Sequence, residues 1–252
     1  MFKLAESGRR AILTLDRPPA NAINDDWLAQ FHGLLDRLEQ RHELTVLHVR
    51  SANKIFSAGM DLVHVGALSD RPDGGARMER DVSEIQRAFA RLESSSMITI
   101  AEIGGAALGG GLELTLACDL RIASRTAKLG LPECRLGLIP GAGGTQRLTR
   151  LCGRGIAARI IIGADVVDGA TAERLGLVQW SFEHDRLAEE AERIARQVSE
   201  LAPQAIQEAK RLIALWGDRS GDGYREEVRA ARRLFETAES RTRVAHFLAG
   251  DR

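Results

Sequence analysis

Three consecutive glycines, Gly109–Gly111, separate an apolar run ending at Ile103 from the helix-period stretch Leu112-Glu-Leu-Thr-Leu-Ala-Cys118. No other feature restricts the fold as strongly. A strand has to deliver the chain to a corner where backbone closes on another group, and a helix has to leave that corner at once. Lacking a Cβ, glycine lets N–H groups press against a ligand that any side chain would obstruct. The first helical turn adds N–H donors without intrahelical partners, at the positive end of the helix dipole. Such a corner suits an anion, or a carbonyl oxygen that is becoming one. Glu113 is the one acid on the helix that follows.

The flanking sequence alternates strand and helix patterns. Arg10 to Asp16 reads as a strand, stopped by Pro18 and Pro19. Asn24-Asp-Asp26 caps a helix reaching about Gln40, with Trp27, Phe31, Leu34, Leu35 and Leu38 on one face. Leu44–Val49 and Met97–Ile103 read as buried strands, and Leu120–Ala123 as a third. Ser51–Leu62 is expected to be a loop, with an irregular polar passage continuing to Gly75 before a helix over Met78–Leu92. After Leu151 helical patterns dominate, over Gly155–Gly163, Ala170–Leu175, Asp185–Leu201, Ala202–Trp216 and Tyr224–Ala238. This order predicts an α/β sheet core followed by a helical region.

Composition excludes several classes. Of 35 basic residues 31 are arginine, dispersed among 35 acids for a net charge of zero, so no basic face points to nucleic acid or an anionic membrane. Cys118, Cys134 and Cys152 are odd in number and lack C-x-x-C spacing, which fits neither a disulfide framework nor a zinc site and suits a reducing cytosol. The six histidines have no spacing for a metal or a triad, and His48 reads as a core or edge residue of its strand. No apolar run approaches the ~20 residues of a membrane span, and Met1–Gly8 has no signal-peptide core. Neither glycine cluster is a nucleotide loop. No glycine is followed by Lys-Ser/Thr, and Gly141-Ala-Gly143-Gly-Thr-Gln146 has glutamine where a dinucleotide fingerprint needs its third glycine.

Three pieces in order, Phe56-Ser-Ala-Gly-Met-Asp-Leu62, Ala107-Leu-Gly-Gly-Gly-Leu-Glu-Leu114 and Pro132-Glu133 with Gly137-Leu-Ile-Pro-Gly-Ala-Gly-Gly-Thr-Gln-Arg147, resemble the enoyl-CoA hydratase (crotonase) family. The resemblance extends to Arg17-Pro-Pro-Ala-Asn-Ala-Ile-Asn24 and the helical C-terminus. It implies a ClpP/crotonase-like ββα superhelix core over 1–195 and a helical trimerisation region over 196–252. It also implies an acyl-CoA thioester whose oxygen is held by the backbone N–H groups of Met60 and Gly110. Hydratases of this family place two glutamates about one water, and Glu113 and Glu133 match both positions. Adding water across a conjugated double bond needs a base for the water proton and an acid for C2. Glu113 is expected to be the base and Glu133 the acid, with the pair titrating as a unit.

The resemblance further implies a loop Ser57–Asp61 curling round the CoA adenine, with backbone contacts from Ala58 and Asp61. Leu62 is placed beside these, with Lys54 near phosphate. Leu108, Leu136 and Ile139 are expected along the acyl tunnel, and Gly141, read as opening the helix after Pro140, near the catalytic water. Phe247 resembles an aromatic that closes over CoA from a neighbouring subunit. No metal and no redox cofactor is implied, coenzyme A being part of the substrate, and the expected assembly is a homotrimer or a hexamer of paired trimers. Some relatives bind RNA through a lysine-studded first helix, but Asp25–Gln40 has no lysine. The alternative activity on this scaffold is 3,2-enoyl-CoA isomerisation with Glu133 as mobile base. One departure is Gly104-Gly105 at the corner after the strand, expected to loosen it.

Overall fold

A computed structural model describes residues 1–216 and 222–249, with 245, 247 and 249 described by backbone alone. The chain divides into two compact units, Met1–Arg196 and Gln197–Arg252.

In the first unit a six-stranded sheet has the order β1-β2-β3-β4-β6-β9, formed by β1 (Phe2–Ser7), β2 (Arg10–Leu15), β3 (Val46–Ser51), β4 (Ile98–Ile103), β6 (Leu120–Ser124) and β9 (Trp180–Phe182). Only β1 and β2 pair antiparallel, Leu4 opposite Leu13; the remaining pairs are parallel. Sequence pattern leaves both edge strands unmarked: in β1 only Phe2 and Leu4 turn inward, and β9 is three residues long. A second sheet, β5 (Ala107–Leu108), β7 (Lys128–Gly130) and β8 (Val166–Asp168), stands in the order β5-β7-β8.

The core lies on one face of the large sheet. Ala11, Leu13 and Leu15 of β2, Leu47 and Val49 of β3, and Ala101 and Ile103 of β4 share one buried cluster with α1 (Asp25–Glu39) and α3 (Gly74–Glu93). The side chain of Asn24 accepts from the Trp27 amide at 3.0 Å, starting α1 where the sequence places it. Trp27 and Phe31 stack one turn apart, centroids 4.7 Å apart. Each such fully buried aromatic or leucine contributes about 1.5–3 kcal/mol. The opposite face carries Ile100, Ile122 and the pair His48–Glu102, Nε2 to Oε2 2.8 Å. There α7 (His184–Ser199) covers the sheet, with Glu192 2.5 Å from Arg10 and Leu187 against Gly104.

Two expectations fail here. The passage 62–75 is not irregular: α2 occupies Leu62–Ser69, and only the turn Asp70–Asp73 separates it from α3. Its signal is a cap rather than an apolar stripe. Asp61 accepts from the Val63 amide at 3.1 Å, while Leu68 is the one buried residue on α2. Nor is the Gly104-Gly105 corner loose, since a Cβ on Gly105 would fall 1.8 Å from the Lys54 carbonyl oxygen.

Beyond β6 the first unit adds a 3-10 helix (Pro132–Leu136), α5 (Gly144–Ile161) and α6 (Gly169–Arg174); α4 (Gly110–Leu116) precedes them. The second unit holds α8 (Pro203–Ala214), α9 (Gly223–Phe235) and α10 (Ala238–Ala249), the last unmarked in the sequence pattern. Among the described residues no helix is long and apolar enough to cross a membrane.

Candidate active site

The triple-glycine corner is where the two sheets and the loop after β3 meet. Leu108 of β5 donates to the Ser57 carbonyl at 3.0 Å, and Gly109 to that of Gly130 at 3.0 Å. Gly109 takes φ +53° and ψ −129°, open only to glycine, and α4 starts at the next residue. The loop Ser57–Asp61 lies directly on this corner. A Cβ on Gly111 would stand 2.2 Å from the Ser57 carbonyl oxygen, and one on Gly59 2.6 Å from the Gly110 nitrogen.

Two N–H groups remain unspent there. Met60 pairs with Ile23 in an isolated parallel bridge, in which Ile23 donates to Gly59 O (2.8 Å) and Asp61 donates to Ile23 O (2.9 Å). That pattern uses the groups on either side of Met60 and leaves its own N–H free. Gly110 is the first residue of α4, so its N–H has no intrahelical acceptor. Among the described residues neither amide has a hydrogen-bond acceptor. A methyl group on Gly110 would lie 3.5 Å from the Met60 nitrogen, so the two donors are neighbours. The Met60 side chain is partly buried against the core.

Two carboxyls flank the donors. Glu113, one turn into α4, is 3% exposed, and its Oε1 accepts from the Gly144 amide at 2.8 Å. Burial pushes its pKa up to about 7; the nearby Glu133 adds to the rise, while the Gly144 and Ala142 amides and Arg147 oppose it. Glu133, on the 3-10 helix, is likewise raised by burial. Its Oε1 would lie 3.0 Å from a Cβ on Gly109, which sets the carboxyl beside the donor corner. Its Oε2 is buried with no hydrogen-bond partner among the described residues.

The Glu113 shift has a stability consequence with a definite sign. Its folded-state pKa lies above the ordinary carboxylate value, so the folded protein holds this proton more tightly than the unfolded chain. Stability is unpenalised below about pH 4.5, falls as pH rises toward 7, and carries the full penalty above that. Glu113→Gln removes the charge and keeps an oxygen for the Gly144 amide. It is expected to raise stability at pH 8 by on the order of 3 kcal/mol, with the gain shrinking toward pH 5. Thermal melts at the two pH values check this, and an equal gain at both would contradict it.

The remaining predicted residues are less tightly gathered. Ala58 donates its N–H to Ala20 O (2.9 Å) and Asp61 to Ile23 O (2.9 Å), and the Asp61 carbonyl already accepts from the Val65 amide at 3.0 Å, so the Ala58 carbonyl is the open backbone group of the two. The Asp61 carboxylate caps α2 and meets Arg17 at 3.1 Å. Lys54 and Leu62 are exposed and Leu108 half-buried; Leu136 and Ile139 are 58% and 69% exposed. Gly141 does not begin the helix. It sits in a turn against Val82, its carbonyl accepting from Gln86 at 2.6 Å, and the helix starts at Gly144. Gly144, whose amide meets Glu113, is thus the residue that sequence reasoning missed; in Gly141-Ala-Gly-Gly144 no local signal tells one glycine from another. Phe247 lies on α10, but its side chain falls outside the described residues. Among the described residues, Asp25, His64 and Asp81 bring three possible metal ligands within 4.8 Å of one another, but Arg77 already pairs with both acids, at 2.5 and 2.7 Å.

A parallel-sheet core with a glycine corner opening a helix, unspent N–H donors, a buried carboxyl and a half-buried one defines a crotonase-type enzyme. A family model described as enoyl-CoA hydratase/isomerase matches residues 8–248. A probable mitochondrial enoyl-CoA hydratase 2 of Arabidopsis thaliana is 39% identical over 203 residues, 80% of this chain and 66% of that protein. A probable enoyl-CoA hydratase of Bacillus subtilis (strain 168) is 39% identical over 197 residues, 78% of this chain and 75% of that one. The crystal structure of an enoyl-CoA hydratase from Bacillus anthracis superposes with a TM-score of 0.90 at 30% identity, covering 99% of this chain and 96% of the other. The chain belongs to the enoyl-CoA hydratase/isomerase family.

Proposed function

We propose that this protein adds water reversibly and syn to a 2-trans-enoyl-CoA, giving a 3-hydroxyacyl-CoA. The observation that carries the reading is the convergence of two unspent amides, Met60 and Gly110, with two carboxyls of raised pKa, Glu113 and Glu133. The thioester oxygen accepts from both amides. As the water oxygen bonds to C3, Glu113 takes the water proton and the π electrons move onto the thioester as an enolate. The fixed donors meet that growing charge, so they stabilise the transition state more than the ground state. Glu133 then protonates C2, and the proton held by Glu113 returns to Glu133 through solvent or product. The pair shares its protons, so its titration belongs to both.

The coenzyme A moiety is part of the substrate, and the reading assigns no metal or redox group to the chemistry. Adenine would be met by the backbone of Ala58 and Asp61, the Ala58 carbonyl being the open acceptor, with Lys54 toward phosphate and Leu62, Leu108 and Gly141 along the path of the ligand. In the second unit Ile213, Trp216, Tyr224, Val228 and Phe235 are each more than 70% exposed, which supports assembly through 196–252 as a homotrimer or paired trimers. Light scattering should then return three or six times the 27.5 kDa chain mass. Three cysteines, none in a disulfide, suit a reducing cytosol.

The test is crotonyl-CoA hydration, followed as loss of the conjugated-enoyl absorbance, with 3-hydroxybutyryl-CoA as product. Turnover of a 3-enoyl-CoA without crotonyl-CoA hydration would instead assign isomerisation with Glu133 as mobile base.

A further inference from the structure

Asn21 is 1% exposed, sits in the left-handed region at φ +48°, and makes hydrogen bonds with every one of its polar atoms. Its Nδ2 donates to Phe56 O and Ser51 Oγ, both 2.8 Å, and at 3.3 Å to Ile55 O. Its Oδ1 accepts from the Arg17 amide (2.8 Å) and from Asn53 Nδ2 (3.0 Å). Its own carbonyl accepts from Ser57 Oγ at 2.9 Å, and that hydroxyl accepts from the Gly59 amide at 3.1 Å. Residues 56, 57 and 59, the approach to Met60, are therefore tied to Asn21 directly or through one hydroxyl.

The direction of the Met60 N–H follows from this. Ile23, two residues past Asn21, donates to the Gly59 carbonyl. That carbonyl and the Met60 N–H belong to one planar trans peptide unit, so turning the carbonyl toward Ile23 turns the N–H away from it. The N–H then lies beside Gly110, where an added methyl would touch Met60 N and Ile23 Cδ1 alike. Residues 21–23 thus form a rail along which the loop is held, and Asn21 fixes where the rail starts. Arg17 secures its other side, donating to Ala22 O at 2.9 Å and to Asp61 Oδ2 at 3.1 Å. An amide is required at 21 because one side chain has to donate and accept at once, and asparagine tolerates φ > 0.

We infer that Asn21 is a positioning residue for the reaction, aiming the Met60 amide at the thioester oxygen; this rests on the hydratase reading. Asn21→Gly keeps the backbone conformation and removes the side chain, and Asn21→Asp replaces the donor with a carboxylate oxygen that repels the Phe56 and Ile55 carbonyls. Each is expected to lower kcat for crotonyl-CoA hydration by about 10–100-fold, less than or comparable to deleting a donor outright, with KM within about threefold. Ser57→Ala, which cuts the relay to Gly59 alone, is expected to lower kcat by about tenfold and serves if the Asn21 variants do not fold.

A merely structural role is separated spectroscopically. Saturated butyryl-CoA labelled with ¹³C at its carbonyl does not react, and hydrogen bonding from both amides lowers its C=O stretching frequency in the bound state. In the variants the bound frequency should return part way to the free value. Variants that keep the wild-type frequency shift and the wild-type kcat per bound site, whatever their melting temperature, overturn the inference while leaving the hydratase reading intact. A wild-type protein that neither hydrates crotonyl-CoA nor shifts the carbonyl overturns both.

Discussion

Glu113→Gln and Glu133→Gln are each expected to lower kcat for enoyl-CoA hydration by about 10²–10⁴-fold, the range for removing a positioned acid or base. KM and CoA affinity should change little, because neither carboxyl is needed to hold the thioester oxygen or the nucleotide. Glu113 has to be ionised to accept the water proton, and a pKa raised to about 7 keeps it basic enough to do so and partly ionised at neutral pH. The rate should therefore fall as pH drops below about 7. Glu133 carries the opposite requirement and works from its protonated form, which burial favours. Steady-state kinetics across pH 5–9 checks both statements. The expected stability gain of Glu113→Gln at pH 8 makes the result decisive, since a variant that is more stable and nearly inactive has not lost its rate by unfolding. Parallel losses in CoA binding and kcat would sink the assignment.

Sequence legibility differed sharply between the pieces of this site. Glu133, and the pairing of Glu113 with it, are legible through the family resemblance, whose motifs are strings of residues in fixed order. Met60 is legible the same way, since a donating N–H leaves no mark on residue type, whereas the corner that contains Gly110 stands out by its three glycines. The large sheet was legible wherever strands are buried on both faces, as in β3 and β4, and illegible at β1, which shows one face to solvent. α2 escaped because hydrophobic periodicity reports burial, and only Leu68 on that helix is buried. Asn21 stood inside a quoted motif without a role. Its partners are five residues of the end of β3 and the loop after it, brought from 30 or more positions away, together with Arg17, and no local pattern encodes that.

Gly144→Ala is expected to cost the enzyme as much as many side-chain deletions. A Cβ there would stand 2.9 Å from Glu113 Oε1, 2.8 Å from Pro140 Cβ and 3.0 Å from Leu131 Cδ1. The proline ring cannot yield, whereas the end of the Glu113 side chain can, so the carboxyl is what moves. A displacement approaching 1 Å at a reacting group lowers kcat about 10²-fold, while overpacking of this kind destabilises by about 1–3 kcal/mol. The fold should survive and the rate should not. Gly66→Ala on α2 is the matched control: nothing lies within 4 Å of the added methyl, so the same change in a helix interior should leave kcat intact and gain up to ~1 kcal/mol of stability. The pH profile identifies the cause of the Gly144→Ala loss. The Gly144 amide favours the ionised form of Glu113, so weakening that hydrogen bond raises a pKa already near 7. The acidic limb of the rate profile must then move to higher pH, and part of the lost activity should return between pH 8 and 9. If Gly144→Ala keeps wild-type kcat, or loses it with an unmoved limb, the amide of residue 144 does not govern the charge on Glu113.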